Sequence, residues 1–196
     1  LIKQKNIPNY DKSKYVTKRI YAPAKDKTLI PISVVYRKDI HMEEINNSKL
    51  MLYGYGSYGS CIEPRFNLGI LPMLDRGMVY CIAHIRGGSE MGRFWYEDQG
   101  KYLSKKNTFE DFCSCAEFLI KKGWTSPENI AIEGRSAGGL LVGAVLNMRP
   151  DLFKVAIAGV PFVDVMTTMS DPSIPLTVVE WEEWGNPNEE KFHNYI

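Results

Sequence analysis

Ser136 lies in Gly134-Arg135-Ser136-Ala137-Gly138, a G-x-S-x-G pentad that follows the apolar run Ile130 to Glu133 and precedes a helical pattern. A strand before and a helix after are the context that a nucleophilic serine on a tight strand-to-helix bend requires. A serine there is forced toward strained backbone angles, and the flanking glycines remove Cβ atoms that would collide with strand and helix. The bend presents the hydroxyl above the strand ends. The backbone N–H of Ala137, at the helix start, can donate to the oxyanion that forms when the hydroxyl attacks a carbonyl. The chemistry this supports is acyl transfer through a serine ester. A Gly-Ser-Gly turn without chemistry is the plain alternative, and it leaves the bracketing strand and helix unexplained.

A second glycine-rich run, Leu52-Tyr53-Gly54-Tyr55-Gly56-Ser57-Tyr58-Gly59, formally matches G-x-G-x-x-G. A dinucleotide site would need a helix to begin here, but Pro64 falls inside that helix, and the next strand ends at His84-Ile85-Arg86 without an acid for the ribose. No cofactor is therefore expected. The other use of such a loop is to face the serine bend across the top of the sheet and supply a second oxyanion donor, for which Tyr55 is the candidate. The alternative is a tyrosine packing under the loop.

An acyl-transfer serine also needs a base and a carboxylate to orient it, in the order Ser, Asp, His for a serine presented this way. Ser136, Asp164 and His193 satisfy that order only formally, because His193 lies in a polar terminal run, Lys191 to Ile196. His84 sits in an apolar strand and reads as a core histidine. Arg86 either touches substrate or holds the loops above the sheet, and the sequence does not separate these. No metal is expected: Cys61, Cys81, Cys113 and Cys115 form no C-x-x-C pair and only three histidines accompany them.

The elements that must position these groups follow from the apolar runs Lys49 to Tyr53, Met78 to Ile85, Ile130 to Glu133 and Val155 to Val160, which suit strands buried on both faces. The clearest helix carries Phe109, Phe112, Cys113, Ala116, Leu119 and Ile120 on one stripe, with Asn107 as its expected N-cap, Glu110 at the third helical position and Gly123 closing it. Arg149-Pro150 closes the helix after Ser136. The alternation of strand and helix predicts a mostly parallel sheet with helices on its faces, a three-layer α/β architecture. Residues 1–45 read as a polar linker with a strand at Thr28 to Arg37 entering the domain, and residues 46–196 as the domain itself.

With 196 residues, 44% of them apolar, a sizeable core is within reach, and a formal charge of +1 gives no field that would gather nucleic acid or an anionic membrane. No N-terminal apolar leader and no long uncharged stretch is present, and the cysteines read as free thiols. A cytoplasmic setting fits these features.

Taken together, Leu52 to Gly59, His84-Ile85-Arg86-Gly87-Gly88, Gly134 to Gly139, Gly159-Val160-Pro161-Phe162-Val163-Asp164 and Glu180 to Pro187 resemble the catalytic domain of the prolyl oligopeptidase family, most closely its oligopeptidase B type. The resemblance covers nearly the whole chain and implies an α/β-hydrolase fold that is incomplete at its C-terminal side. It implies Ser136 as nucleophile, Tyr55 and Ala137 as oxyanion donors, and Glu180 and Glu182 as the acids that receive a lysine or arginine side chain before the cleaved bond. A carboxylate pair suits a guanidinium, which donates in a bidentate fork. From the residues alone, Glu180 to Trp184 would be a solvated acidic turn with aromatic edges. At the adjacent subsite, where bacterial relatives carry two aspartates, this chain has Glu63 and Arg65.

The expected substrate is a short basic peptide. The resemblance also implies that the triad Asp and His, and a β-propeller that screens large substrates, belong to other parts of a longer parent chain. The 196 residues alone are then expected to be inactive and prone to self-association. The competing functions are an esterase or acyl-aminoacyl peptidase of the same fold, and a hydrolase-like binding module without catalysis.

Overall fold

A computed structural model describes residues 6–39 and 47–196. Six strands, β1 (Tyr15–Pro23), β2 (Leu29–Arg37), β3 (Leu50–Tyr53), β4 (Val79–Ala83), β5 (Ile130–Arg135) and β6 (Val155–Gly159), form one sheet in the order β1-β2-β4-β3-β5-β6. β1 pairs antiparallel with β2 and β2 antiparallel with β4, whereas β3 runs parallel to both β4 and β5, and β5 parallel to β6. All four apolar runs and the strand at Thr28 to Arg37 form strands where the sequence places them, but β6 lies at the edge of the sheet with Val155 and Ile157 exposed, not buried on both faces as expected. β1 does not follow from the sequence reading, which leaves Tyr15 to Pro23 as extended linker. The expected boundary between residues 45 and 46 lies outside the described residues.

Alternation along the strands assigns the two faces of the sheet. Ile32, Val34, Leu50, Leu52, Val79, Cys81, Ile130 and Ile132 are buried on one face, beneath α3 (Lys106–Lys121) and α4 (Ala137–Met148). On the other face Ser33, Val35, Tyr80 and Ile82 line a groove of about 950 Å³ together with residues of the 62–74 segment, which includes the short α1 (Leu71–Leu74). The short α2 (Phe94–Glu97) lies in the connection between β4 and α3. After β6 come α5 (Val165–Ser170), α6 (Thr177–Trp184) and α7 (Glu190–His193).

Helix α3 buries Phe112, Cys113, Ala116 and Leu119 as its stripe requires, with Phe109 and Ile120 partly buried beside them. It ends at Gly123 (φ +75°), where Trp124 N–H donates to Leu119 O and Gly123 N–H to Ile120 O, the paired bonds of a left-handed C-terminal cap. Its start differs from expectation. Asn107 is not the N-cap: the helix begins at Lys106, and the Asn107 side chain instead donates to Gln99 O at 3.1 Å. A tertiary bond has taken the amide that local capping would use.

Candidate active site

β5 and α4 meet at Ser136, whose φ of 55° and ψ of −117° place a non-glycine residue in a region that L side chains rarely adopt. The conformation is over-determined by its backbone partners. Ser136 N–H donates to Gly159 O at 2.9 Å, and Ser136 O accepts from Gly139 N at 2.8 Å and from Leu140 N and Phe162 N at 3.2 Å. The side chain is left exposed at the top of the bend, and among the described residues it forms no hydrogen bond.

The glycines around it answer to close approach rather than to backbone sign. A methyl added at Gly134 would stand 2.1 Å from Gly138 O, and one at Gly139 would stand 2.5 Å from Pro161 Cα. At Gly138 it would meet Gly54 O at 2.9 Å and Tyr55 Cδ2 at 3.3 Å. The two glycine-rich runs of the sequence therefore touch each other at the first turn of α4.

Tyr55 packs into a small cluster with Ala137, Met169 and Trp184, so the packing role weighed for it is real. Its hydroxyl, however, forms no hydrogen bond among the described residues. Burial, followed by the charges of Glu183 and Glu180, raises its pKa and keeps the phenol proton in place to donate. Ala137 is the first residue of α4, so its N–H has no intrahelical acceptor. The Tyr55 ring and the Ala137 N–H thus both lie at the helix start that carries Ser136.

Glu180 and Glu182 lie on α6, a helix and not a solvated turn, and they have different partners. Glu180 Oε2 accepts from Tyr58 OH at 2.8 Å and from Trp184 Nε1 at 2.9 Å. Glu182 is exposed and accepts from Lys101 Nζ at 2.7 Å, a bond that holds its pKa below the usual carboxylate value. Next to Glu182, Glu183, absent from the sequence-derived site, is 2% exposed and pairs with Lys105 at 2.9 Å. The only signal for it in the sequence is its i, i+3 spacing from Glu180, which puts the two on neighbouring turns of one helix face. Glu63 and Arg65 are exposed and bridge to each other at 3.3 Å.

The remaining candidates resolve plainly. Arg86 is 3% exposed and donates to Asp111 through Nε (2.9 Å) and Nη2 (2.6 Å) and to Asp26 through Nη1 (2.6 Å), so it holds loops together and does not reach the site. His84 is buried with its Nε2 against Ser33 Oγ at 2.7 Å, as a core histidine. Asp164 caps α5 and His193 ends α7, both exposed, and among the described residues neither hydrogen-bonds to Ser136 or to the other. Cys81, Cys113 and Cys115 are buried thiols, and burial pushes Cys113 up to about 11, which leaves it a poor nucleophile. No group of three or more metal-ligating side chains occurs among the described residues, and no helix there is long and apolar enough to cross a membrane.

The sequence profile of the prolyl oligopeptidase family matches residues 64–196. The chain belongs to that family. It is 52% identical over 196 residues to dipeptidyl aminopeptidase BI of Pseudoxanthomonas mexicana, a match that covers 100% of this chain and 27% of that protein. It is 49% identical over 189 residues to protease 2 of Moraxella lacunata, again across 27% of the relative. Among solved structures, oligopeptidase B from Leishmania major superposes with a TM-score of 0.93 at 62% identity, covering 96% of this chain and 26% of that one. Oligopeptidase B from Trypanosoma brucei with covalently bound antipain gives 0.92 at 64% identity, covering 95% and 26%. The chain thus spans about a quarter of the length of these relatives, and its fold is that of the α/β-hydrolase domain of a serine peptidase family.

Proposed function

We propose that this chain is the nucleophile-bearing part of a longer serine oligopeptidase that cleaves short peptides after Lys or Arg through an acyl-enzyme. The observation that carries the proposal is the Ser136 bend, strained at φ 55° with Tyr55 packed against the same helix start. In this reading Ser136 Oγ attacks the scissile carbonyl and its proton passes to a base. Tyr55 OH and Ala137 N–H receive the oxyanion, the leaving amine takes the proton back, and water then hydrolyses the ester. The base and its orienting acid come from other parts of the parent chain, as does a β-propeller. The 196 residues alone are accordingly inactive. Cytoplasmic residence is part of the same proposal, supported by four free cysteines, three of them buried.

Glu180 is the acid better placed to read a basic side chain. Its two hydrogen bonds both fall on Oε2, leaving Oε1 for a guanidinium or ammonium, whereas Glu182 is already paired with Lys101, which it shares with Glu97. In the full-length parent, Glu180→Gln should lower kcat/KM for an arginine reporter about 10- to 100-fold, the worth of one charge-assisted bond. Glu182→Gln should lower it severalfold at most, and neutral acyl donors should be little affected by either change. Equal loss on basic and neutral substrates would remove the specificity assignment.

A second reading is favoured by one finding, the 52% identity to a protein named dipeptidyl aminopeptidase BI. Release of dipeptides would require a free substrate α-amine, so comparing free and N-blocked arginine reporters separates the two activities.

A further inference from the structure

Lys105 and Glu183 form the one lysine–carboxylate pair among the described residues with both side chains buried, at 6% and 2% exposure. Such a pair is weak evidence for stability, because desolvating two ions offsets their attraction. Burial indeed holds the Lys105 ammonium below the usual lysine pKa even with Glu183 beside it. Its geometry is more informative. Lys105 Nζ donates to Gly56 O at 2.6 Å, Ser57 Oγ at 2.8 Å and Glu183 Oε1 at 2.9 Å, which uses all three ammonium protons. The other Glu183 oxygen accepts from Tyr58 N–H at 3.2 Å. Each of the three residues that follow Tyr55 is therefore held by this pair, and the Trp184 ring, which packs with Tyr55, lies 5.0 Å from the same ammonium.

The loop needs such a brace. Gly56 and Tyr58 both have positive φ, at 72° and 59°, so the segment departs from regular geometry, and its one local backbone bond among the described residues, Ser60 N–H to Ser57 O at 3.0 Å, leaves the Gly56 carbonyl and the Tyr58 N–H to be held from outside. Its other ties are Gly54 N–H to Glu133 O and Gly59 N–H to Gly87 O at its two ends, and the Tyr58 hydroxyl on Glu180. Between those ends the Gly56 carbonyl accepts hydrogen bonds from Lys105 and, at 3.5 Å, from Thr108 Oγ1.

We propose that Lys105 and Glu183 are a positioning pair that fixes the Gly56–Tyr58 backbone so that the Tyr55 hydroxyl stands over the start of α4 as an oxyanion donor. The proposal rests on the roles assigned above to Ser136 and Tyr55. Neither Lys105 nor Glu183 touches the reacting atoms, and their effect on rate passes through the phenol.

The test is a cycle in the full-length parent, comparing Tyr55→Phe, the charge-removing double variant K105M/E183L, and all three changes together, each followed by kcat, KM and thermal melting. Tyr55→Phe should lower kcat about 100-fold, as removal of an oxyanion donor does. K105M/E183L should lower kcat roughly 10-fold or more with KM within about threefold, because misplacement by about 1 Å is enough for losses of this order. Added to Tyr55→Phe, it should cost less than about threefold further, since the donor it positions is gone. Wild-type kcat in K105M/E183L, or full multiplication of its loss with that of Tyr55→Phe, would overturn the positioning role. Should that double variant lose its melting transition, the isosteric Glu183→Gln is judged on the same pattern with a smaller drop, about threefold. A neutral Tyr55→Phe sinks the oxyanion assignment and the positioning pair with it; a slow Tyr55→Phe beside a wild-type-like K105M/E183L sinks the pair alone.

Discussion

Replacing Gly134 by alanine puts a methyl where the bend has no room for one. The added carbon would lie 2.1 Å from Gly138 O and 2.5 Å from Gly138 C, and both are backbone atoms of the first turn of α4. Ordinary carbon–oxygen contacts begin near ~3.3 Å, so the strand end and the helix start must part by about 1 Å. No rotamer change can absorb that. Overpacking costs about 1–3 kcal/mol where side chains can give, and relief through backbone angles alone reaches ~4 kcal/mol, so about 3 kcal/mol is expected here. For a domain of this size the melting transition should fall by roughly 6–12 °C. The same displacement moves Ser136 relative to Tyr55 and Ala137, and about 1 Å of misplacement is worth ~100-fold in rate. Gly143→Ala is the control. Its methyl meets only Val163 Cγ1, at 3.3 Å on an exposed side chain, and inside α4 the change should be neutral or stabilising by up to about 1 kcal/mol. The assay, in the full-length parent, is calorimetry of both variants together with their rate of labelling by a fluorophosphonate. If Gly134→Ala melts and labels like the wild type, the steric account of the bend is wrong.

Two further outcomes are expected. Because Ser136 is held at φ 55°, Ser136→Gly should be more stable than Ser136→Ala by about 1 kcal/mol in chemical denaturation, both being inactive; equal stability would mean that the bend stores no strain. The bond from Lys101 lowers the Glu182 pKa below its ordinary 4.5, so the link contributes above about that pH and is lost as pH falls through the lowered value. A carbon-13 carboxyl titration should find the midpoint below 4.5 and see Lys101→Met return it upward; an unmoved midpoint would remove Lys101 as the cause.

How much of this was legible in the sequence follows from how local each cause is. The Ser136 bend was legible because its steric demands fall on residues two apart in the chain, where only small side chains fit. Strands β3 to β6 were legible because each is a short continuous apolar run, although β6, expected to be buried on both faces, has Val155 and Ile157 exposed at the edge of the sheet. β1 was not, since Tyr15 to Pro23 pairs on one side only and carries Thr17, Lys18 and Arg19 exposed in a row, which breaks the alternation that marks a strand. The start of α3 was misjudged at Asn107 because its amide bonds to Gln99 O, on the loop before the helix, rather than to the helix itself. Glu183 escaped notice beside Glu182, an acid of the same type. Only the turn of α6 directs it inward, and its partner Lys105 lies 78 residues earlier, where the sequence offers a lysine like any other. The pairing of Glu180 with Tyr58 and of Glu182 with Lys101 was hidden for the same reason: each partner is brought in by the fold.

The account stands or falls on which atom of the parent protein reacts with an acylating or phosphonylating reagent. Treating the full-length protein with a fluorophosphonate and locating the adduct by peptide mass spectrometry should place it on Ser136, with none on Ser136→Ala. An adduct on another residue, or an active enzyme whose Ser136 stays unmodified, would contradict it.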